Sequence, residues 1–301
     1  MIFDNGFFET DDEFRNGVKN KFPYHVYKTI TPNEATEFTH FHWHPEVEIA
    51  YSLTSGILRI ERKFYDCKKG DIFFINPRQL HNSYKHDEAG ILYGIVFLAE
   101  ALKSNYQPNY QNNLIDRITG RQIQFVNRVE RTSEAYCQLL PLVEEIIDII
   151  ETDVKDEARG FLVQSVFNRL FYVCCKYDIF IKTDAKIEIY VEYIKKAIDY
   201  IQKNYMNIIS VKDIASHINI SESYLFKIFK SYCGISPVEY INTMRIYAAY
   251  ELLQQNMSVT ETAETVGFSN ISYFIRLFKN ISGKTPYQWG KNKICKERNM
   301  L

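Results

Sequence analysis

Six of the seven histidines of this 301-residue chain fall between His25 and His86, and three crowd one stretch, His40-Phe41-His42-Trp43-His44-Pro45-Glu46-Val47-Glu48. Side chains two apart on an extended strand face the same way. His42 and His44 therefore share a side, and Glu48 and His81 can complete a set of three imidazoles and one carboxylate. That donor set suits a divalent transition metal. The same groups carry two other readings. Buried polar groups with Trp43 or Tyr51 as an apolar wall suit a sugar-like or other small effector, and imidazoles can also simply pack and hydrogen-bond near a barrel mouth. The expected effector site is thus His42, Trp43, His44, Glu48, Tyr51 and His81, with no cofactor required and with His42, His44, Glu48 and His81 as ligands where a divalent metal is bound.

Other chemistry finds little support. There is no Walker-type phosphate loop, no G-x-S-x-G elbow and no C-x-x-C pair, which leaves nucleotide hydrolysis and serine esterase chemistry without a basis. The six unpaired cysteines (Cys67, Cys137, Cys174, Cys175, Cys233, Cys295) fit free thiols in a reducing cytoplasm. Lys68-Lys69 and Lys195-Lys196 read as solvated faces.

The histidines need elements to hold them. From 24 to 98 the chain runs in short β-branched and aromatic stretches broken by turn residues, with Val47, Ile49, Tyr51 and Leu53 alternating against Glu48, Ala50, Ser52 and Thr54. Further strands are predicted at 57–62, 64–67, 71–76 and 91–98, punctuated by Gly56, Lys69-Gly70 and Asn76-Pro77. Many short strands in series imply a barrel or sandwich. After a polar stretch at 104–113 the period becomes helical, predicting helices over 139–150 and 157–177 and a third over 187–205. The stripe Leu142, Ile146, Ile149 and Ile150 offers more apolar surface than one hairpin can bury, so this segment is expected to dimerise.

Composition bounds the class. Hydrophobic residues make up 46% and aromatics 15%, enough for packed cores, and the length suggests two domains. The net charge of −1 hides a division: residues 1–185 carry 21 basic and 27 acidic groups, and residues 186–301 carry 15 and 10. A basic C-terminal part suits a polyanion. No basic leader precedes an apolar run, and no segment approaches the roughly 20 apolar residues that span a bilayer, so a soluble cytoplasmic protein with no membrane partner is expected.

The strongest signal is an internal repeat at an offset of 48, then 49. Ser210, Val211, Ala215 and Ser221 recur as Ser258, Val259, Ala263 and Ser269, and Tyr224, Phe229, Lys230, Gly234 and Pro237 recur as Tyr273, Phe278, Lys279, Gly283 and Pro286. Ser210 with Asp213, and Ser258 with Glu261, have capping-box spacing at a helix start. Ala215 and Ala263 let a second helix cross closely. Asn219 and Gly267 tolerate the left-handed backbone of a tight turn, and Ser221 or Ser269 then caps the next helix. Each copy thus reads as a helix-turn-helix, whose second helix enters the DNA major groove.

These residues resemble the AraC/XylS family of bacterial transcription regulators. The first copy carries the resemblance in Ile214-Ala215-Ser216-His217, the run from Ser221 to Lys230, and Gly234-Ile235-Ser236-Pro237; the second carries it in the run from Ala263 to Lys279 and in Gly283-Lys284-Thr285-Pro286. Asn219 departs from the family's usual glycine. The match covers 187–290 and implies a seven-helix DNA-binding domain with two recognition helices in successive major-groove segments. The histidine cluster resembles the first cupin motif, and Gly70-Asp71, Asn76-Pro77 and His81 resemble the second with altered spacing, as in the sensor barrels of such regulators.

The resulting expectation is a multidomain α+β chain: a cupin-like β-barrel at 1–103, a linker and helical dimerisation segment at 104–185, and an all-α double helix-turn-helix domain at 186–301. Ser223, Phe226, Lys227 and Lys230 of the first recognition helix, and Asn270, Ile271, Ser272, Ile275, Arg276 and Lys279 of the second, are the expected DNA-facing residues. Arg276 suits guanine, Ile271 or Ile275 a thymine methyl, and Lys227 and Lys230 phosphate. Partners implied are promoter DNA, a small effector, a second copy and RNA polymerase. The rivals are a metal-dependent cupin enzyme, and a constitutive regulator with a vestigial barrel.

Overall fold

The computed structural model describes residues 24–31, 37–85, 90–104, 110–152, 156–183, 189–207 and 210–291, so His86 and Cys295 lie outside the described residues. The chain divides into two units, Met1–Ala185 and Lys186–Leu301.

The first unit is built on eight strands: β1 (Tyr24–Thr31), β2 (Glu37–His42), β3 (Val47–Ser52), β4 (Gly56–Ile60), β5 (Lys63–Cys67), β6 (Ile72–Ile75), β7 (His81–Lys85) and β8 (Gly90–Phe97). They form two antiparallel four-stranded sheets, ordered β1-β8-β3-β6 and β2-β7-β4-β5. Alternation on β3 sorts its side chains between two environments. Ala50 joins Leu58, Ile60, Phe73, Ile75 and Leu92 in a small core between the sheets, while Val47, Ile49 and Tyr51 join a second, larger core.

Helices cover that larger core. A short 3₁₀ turn (Ala99–Leu102) leads to α1 (Tyr110–Thr119), then β9 (Ile123–Phe125), α2 (Glu134–Glu151), α3 (Asp156–Lys176) and β10 (Phe180–Lys182). Antiparallel pairing of β9 with β10 ties the two ends of the helical hairpin together. Phe125 stacks on Phe74 with centroids 4.6 Å apart, and Asn76 exchanges two hydrogen bonds with the Phe125 backbone. The last residues of the polar stretch, 110–113, lie in α1, and the helices of segment 104–185 share one core with the barrel instead of standing apart as a connector.

This corrects the expected interface. Leu142, Ile146 and Ile149 are buried at 7%, 0% and 8% exposure within the unit's own core, so the stripe covers the sheet rather than a second copy. The surplus apolar surface was real, and its partner was the outer face of β3, β6 and β8.

The second unit is helical: α4 (Ile189–Asn204), α5 (Val211–His217), α6 (Glu222–Cys233), α7 (Pro237–Gln254), α8 (Val259–Thr265) and α9 (Ile271–Ser282), with 286–291 helical again. Lys195, read as a solvated face, is buried at 2% exposure with its Nζ 3.8 Å from a Glu192 carboxylate oxygen. No helix among the described residues is long and apolar enough to cross a membrane.

Candidate functional site

Two sites emerge, one in each unit. In the second unit, the caps fix both helix-turn-helix copies. Ser210 and Asp213 form a complete capping box at α5, and the Ser258 side chain accepts from the Glu261 N–H at α8. The turns that follow contain left-handed residues at Asn219 (φ 57°) and Gly267 (φ 89°), as the residue types predict. A Cβ on Gly267 would lie 2.6 Å from the Met206 carbonyl oxygen, so this turn needs glycine for space as well as conformation.

Ser221 caps α6 by accepting from the Tyr224 N–H. At α9 the expected cap Ser269 is displaced by one residue: the Asn270 Oδ1 accepts from the Tyr273 N–H at 2.9 Å. Asn270 is therefore a cap, with only its amide N–H groups left to reach DNA. The extra residue of the second copy, which lies between Ser269 and Tyr273 where the offset steps from 48 to 49, is the physical reason, since that helix starts one position later.

Packing leaves one face of each second helix outward. Leu225 and Phe229 of α6, and Phe274 and Phe278 of α9, are fully buried. Ser223, Phe226, Lys227 and Lys230 are exposed on α6; Ser272, Ile275, Arg276 and Lys279 are exposed on α9, with Ile271 half-buried. Two tyrosines that sequence reasoning passed over share this surface. Tyr224 and Tyr273 are 42% and 37% exposed, and the Tyr273 hydroxyl accepts from Asn242 Nδ2 while Arg276 lies over its ring. Their recurrence in the repeat was the available signal. Glu222, at the start of α6, places a carboxylate on the same exposed surface.

In the first unit, β2, β3 and β7 bring the predicted quartet together. Register pairing sets His42 opposite His81, and Glu48 projects from β3 on the side opposite Tyr51. The donor atoms of His42, His44, Glu48 and His81 all lie within 4.8 Å of one another. His44 Nε2 is 3.0 Å and His81 Nε2 3.3 Å from the same oxygen, Glu48 Oε2. All four residues are at most 9% exposed. Gly94 makes the room, since a Cβ there would stand 2.9 Å from Glu48 Oε1.

The electrostatics follow from this confinement. Burial pulls the His44 pKa down, but hydrogen bonds to Glu46 and Glu48 and their charges outweigh it and push it up to about 9. Burial likewise works to raise the Glu48 pKa, and the hydrogen bonds and charges of His44 and His81 overcome it, holding the carboxyl well below its ordinary range. Three nitrogens and one carboxylate oxygen converging in a buried pocket form a donor set that fits a divalent transition ion.

The other two predicted effector residues part company with the quartet. Tyr51 faces the helices and donates its hydroxyl to Glu144 Oε1 at 2.8 Å. Residues 48 and 51 have opposite parity on one strand, so they cannot share a face. Trp43 lies under the Arg78 guanidinium at 5.2 Å, with its indole N–H buried and lacking a hydrogen-bond partner among the described residues. Of the second motif, Asp71 anchors helix α2's approach instead of the site, its carboxylate taking Arg128 at 3.2 Å and also Arg131.

A β-rich sensing unit joined to a duplicated helix-turn-helix unit defines a two-domain transcription regulator. Comparison with known families agrees. The AraC-like ligand binding domain matches residues 29–105 and a helix-turn-helix domain matches residues 214–292, together just over half of the chain. The chain belongs to the AraC family of transcription regulators. It is 26% identical over 239 residues to the Msm operon regulatory protein of Streptococcus mutans, covering 78% of this chain and 80% of that one. It is 34% identical over 106 residues to the transcriptional regulatory protein HptR of Staphylococcus aureus, covering 35% of this chain and 42% of that protein. Among solved structures, ToxT from Vibrio cholerae aligns over 89% of this chain and 98% of its own, at 17% identity and a TM-score of 0.45.

Proposed function

We propose that this regulator binds promoter DNA through the exposed faces of α6 and α9, and that the barrel senses a small oxygen-rich polar effector, a sugar or related metabolite, at the histidine quartet. The observation that carries the DNA reading is the pair of capped, buried-backed second helices with Lys227, Lys230, Arg276 and Lys279 outward. Fixed phosphate contacts orient such a unit on DNA, while Arg276 supplies base readout. Support for the effector reading comes from buried polar groups at one end of the barrel, including the Trp43 indole N–H that lacks a partner among the described residues. Such a donor suits an oxygen acceptor.

The protein acts on this view as a cytoplasmic regulator rather than an enzyme, with RNA polymerase as its downstream partner. A second copy is expected to dock on the outward face of α3, where Phe161 is 83% and Tyr172 65% exposed. Fluorescence anisotropy of the full chain on labelled DNA from its own upstream region, repeated across a panel of sugars and small acids, tests the proposal. Salt-dependent specific binding that shifts with one compound class supports it. Binding indifferent to sequence contradicts the DNA reading, and specific binding indifferent to every compound contradicts the sensing one.

A further inference from the structure

The tyrosines that recur on the two second helices are held differently, and the difference bears on base reading. Tyr224 of α6 meets the ring of Tyr193 of α4 edge-on, with centroids 6.4 Å apart, and its hydroxyl has no hydrogen-bond partner among the described residues. Tyr273 of α9 is fixed on two sides. Its hydroxyl accepts from Nδ2 of the buried Asn242 on α7 at 3.0 Å, and its ring meets Phe268 with centroids 6.0 Å apart at 61°. Phe268 is itself buried, with the Arg245 guanidinium 5.5 Å from its ring centroid, and Arg245 donates to the carbonyls of Tyr205 and Asn207. The Tyr273 ring thus stands on a chain of buried contacts that starts after α4 and passes through α7 and the second turn.

Arg276 lies one turn further along α9, its Cζ 5.6 Å from the Tyr273 ring centroid and so within cation–π reach. The side chain is exposed and makes no ion pair among the described residues. A ring face attracts the guanidinium without using its N–H donors, whereas a carboxylate would occupy them. Arg276 therefore keeps its bidentate edge free for guanine O6 and N7 while its freedom to swing is already reduced. A long side chain that is not held gives up that freedom on binding, and holding it in advance lessens the loss.

The first copy has no such device. Lys227 stands at the position of Arg276, and no cation lies over the Tyr224 ring among the described residues. An ammonium is a compact, hydrated point charge that suits phosphate without being aimed.

We propose that Tyr273 is a positioning residue for base readout: its ring, tethered by Asn242 and Phe268, presets the Arg276 guanidinium for guanine. That role rests on α9 contacting DNA as proposed above, while the holding of Arg276 in the free protein does not.

The first test needs no DNA. Side-chain NMR relaxation of the full chain should show the Arg276 Nε–H more ordered than that of Arg117, exposed on α1, and shifted upfield by the ring, and Tyr273→Leu should abolish both effects. Equal mobility of the two arginines, or an Arg276 signal that Tyr273→Leu leaves unchanged, overturns the proposal. The second test uses the duplex enriched from a random library, together with its single-base variants. At the base that Arg276→Ala relaxes, Tyr273→Leu should reduce discrimination about fivefold to tenfold, the scale of a cation–π contact, and leave the other block unchanged. On an Arg276→Ala background it should have no further effect. Asn242→Ala and Tyr273→Phe keep the ring and remove only the tether, so each should cost about twofold to threefold, and together no more than one alone. They keep the role testable if the leucine variant fails to fold. A loss equal at every sequence, or one that persists on the Arg276→Ala background, overturns it. Enrichment of no sequence overturns the DNA reading and the readout role with it, and the relaxation result still decides whether Tyr273 holds Arg276.

Discussion

Replacing Gly267 with alanine should destabilise the DNA-binding unit by an amount that the turn geometry sets. The backbone at Gly267 has φ 89°, and a left-handed conformation costs an L residue about 1–2 kcal/mol. The new Cβ would also sit 2.6 Å from the Met206 carbonyl oxygen and 3.2 Å from Arg245 Cζ. That guanidinium is itself committed, donating to Tyr205 O at 2.7 Å and Asn207 O at 2.8 Å. Displacing it weakens at least one charged hydrogen bond, worth about 1.5–3 kcal/mol. The two effects together come to about 2.5–5 kcal/mol, a large part of the roughly 5–15 kcal/mol that holds a domain folded. Urea unfolding of the full chain, followed by circular dichroism, should show the helical unit melting early. Asn219→Gly, the same turn position of the first copy, should change stability by only a few tenths of a kcal/mol, because asparagine already tolerates φ 57° there. If Gly267→Ala unfolds within about 0.5 kcal/mol of wild type, the reasoning fails, since that is the range of an ordinary surface substitution.

Arg276→Ala should cost about 1–3 kcal/mol of DNA affinity and relax preference at one base, whereas Lys230→Ala should weaken all sequences alike and reduce the salt slope; competition binding against single-base operator variants distinguishes them. Gly94→Ala should push the Glu48 carboxylate aside and weaken binding of a responsive effector at least tenfold, about 1.4 kcal/mol, with helical content unchanged by circular dichroism. Phe161→Glu with Tyr172→Glu on α3 should yield folded monomers by light scattering if that face pairs two copies. Ile146→Glu, fully buried in the first unit, should instead unfold that unit.

The strength of each local pattern decided what the sequence disclosed. Helix-turn-helix copies were legible because caps, small crossing residues and turn residues recur as a set, and Asn219 and Gly267 do adopt the left-handed backbone their types imply. The first residue of α9 was not, because Ser269 and Asn270 are both good caps and only the helix phase chooses between them. β3 could be read from its alternation, but β7 could not: His81-Asn82-Ser83-Tyr84-Lys85 lacks the apolar alternation that marks a half-buried strand. His81 faces Glu48 through pairing with β2 and β4, which is long-range register. The quartet itself was named from type and spacing, while Tyr51 was grouped with it against strand parity. An apolar stripe shows that a helix needs a partner surface without showing which, and on α2 that partner was the sheet of the same unit.

Selection of bound sequences from a random duplex library by the full chain tests the central claim most directly, because it presumes no promoter. Two recognition helices in one unit predict an enriched site with two short blocks about one helical turn, roughly 10 bp, apart. Arg276→Ala should erase information from one block and leave the other readable. Enrichment of no sequence, or of one block that Arg276→Ala leaves unchanged, would contradict the account.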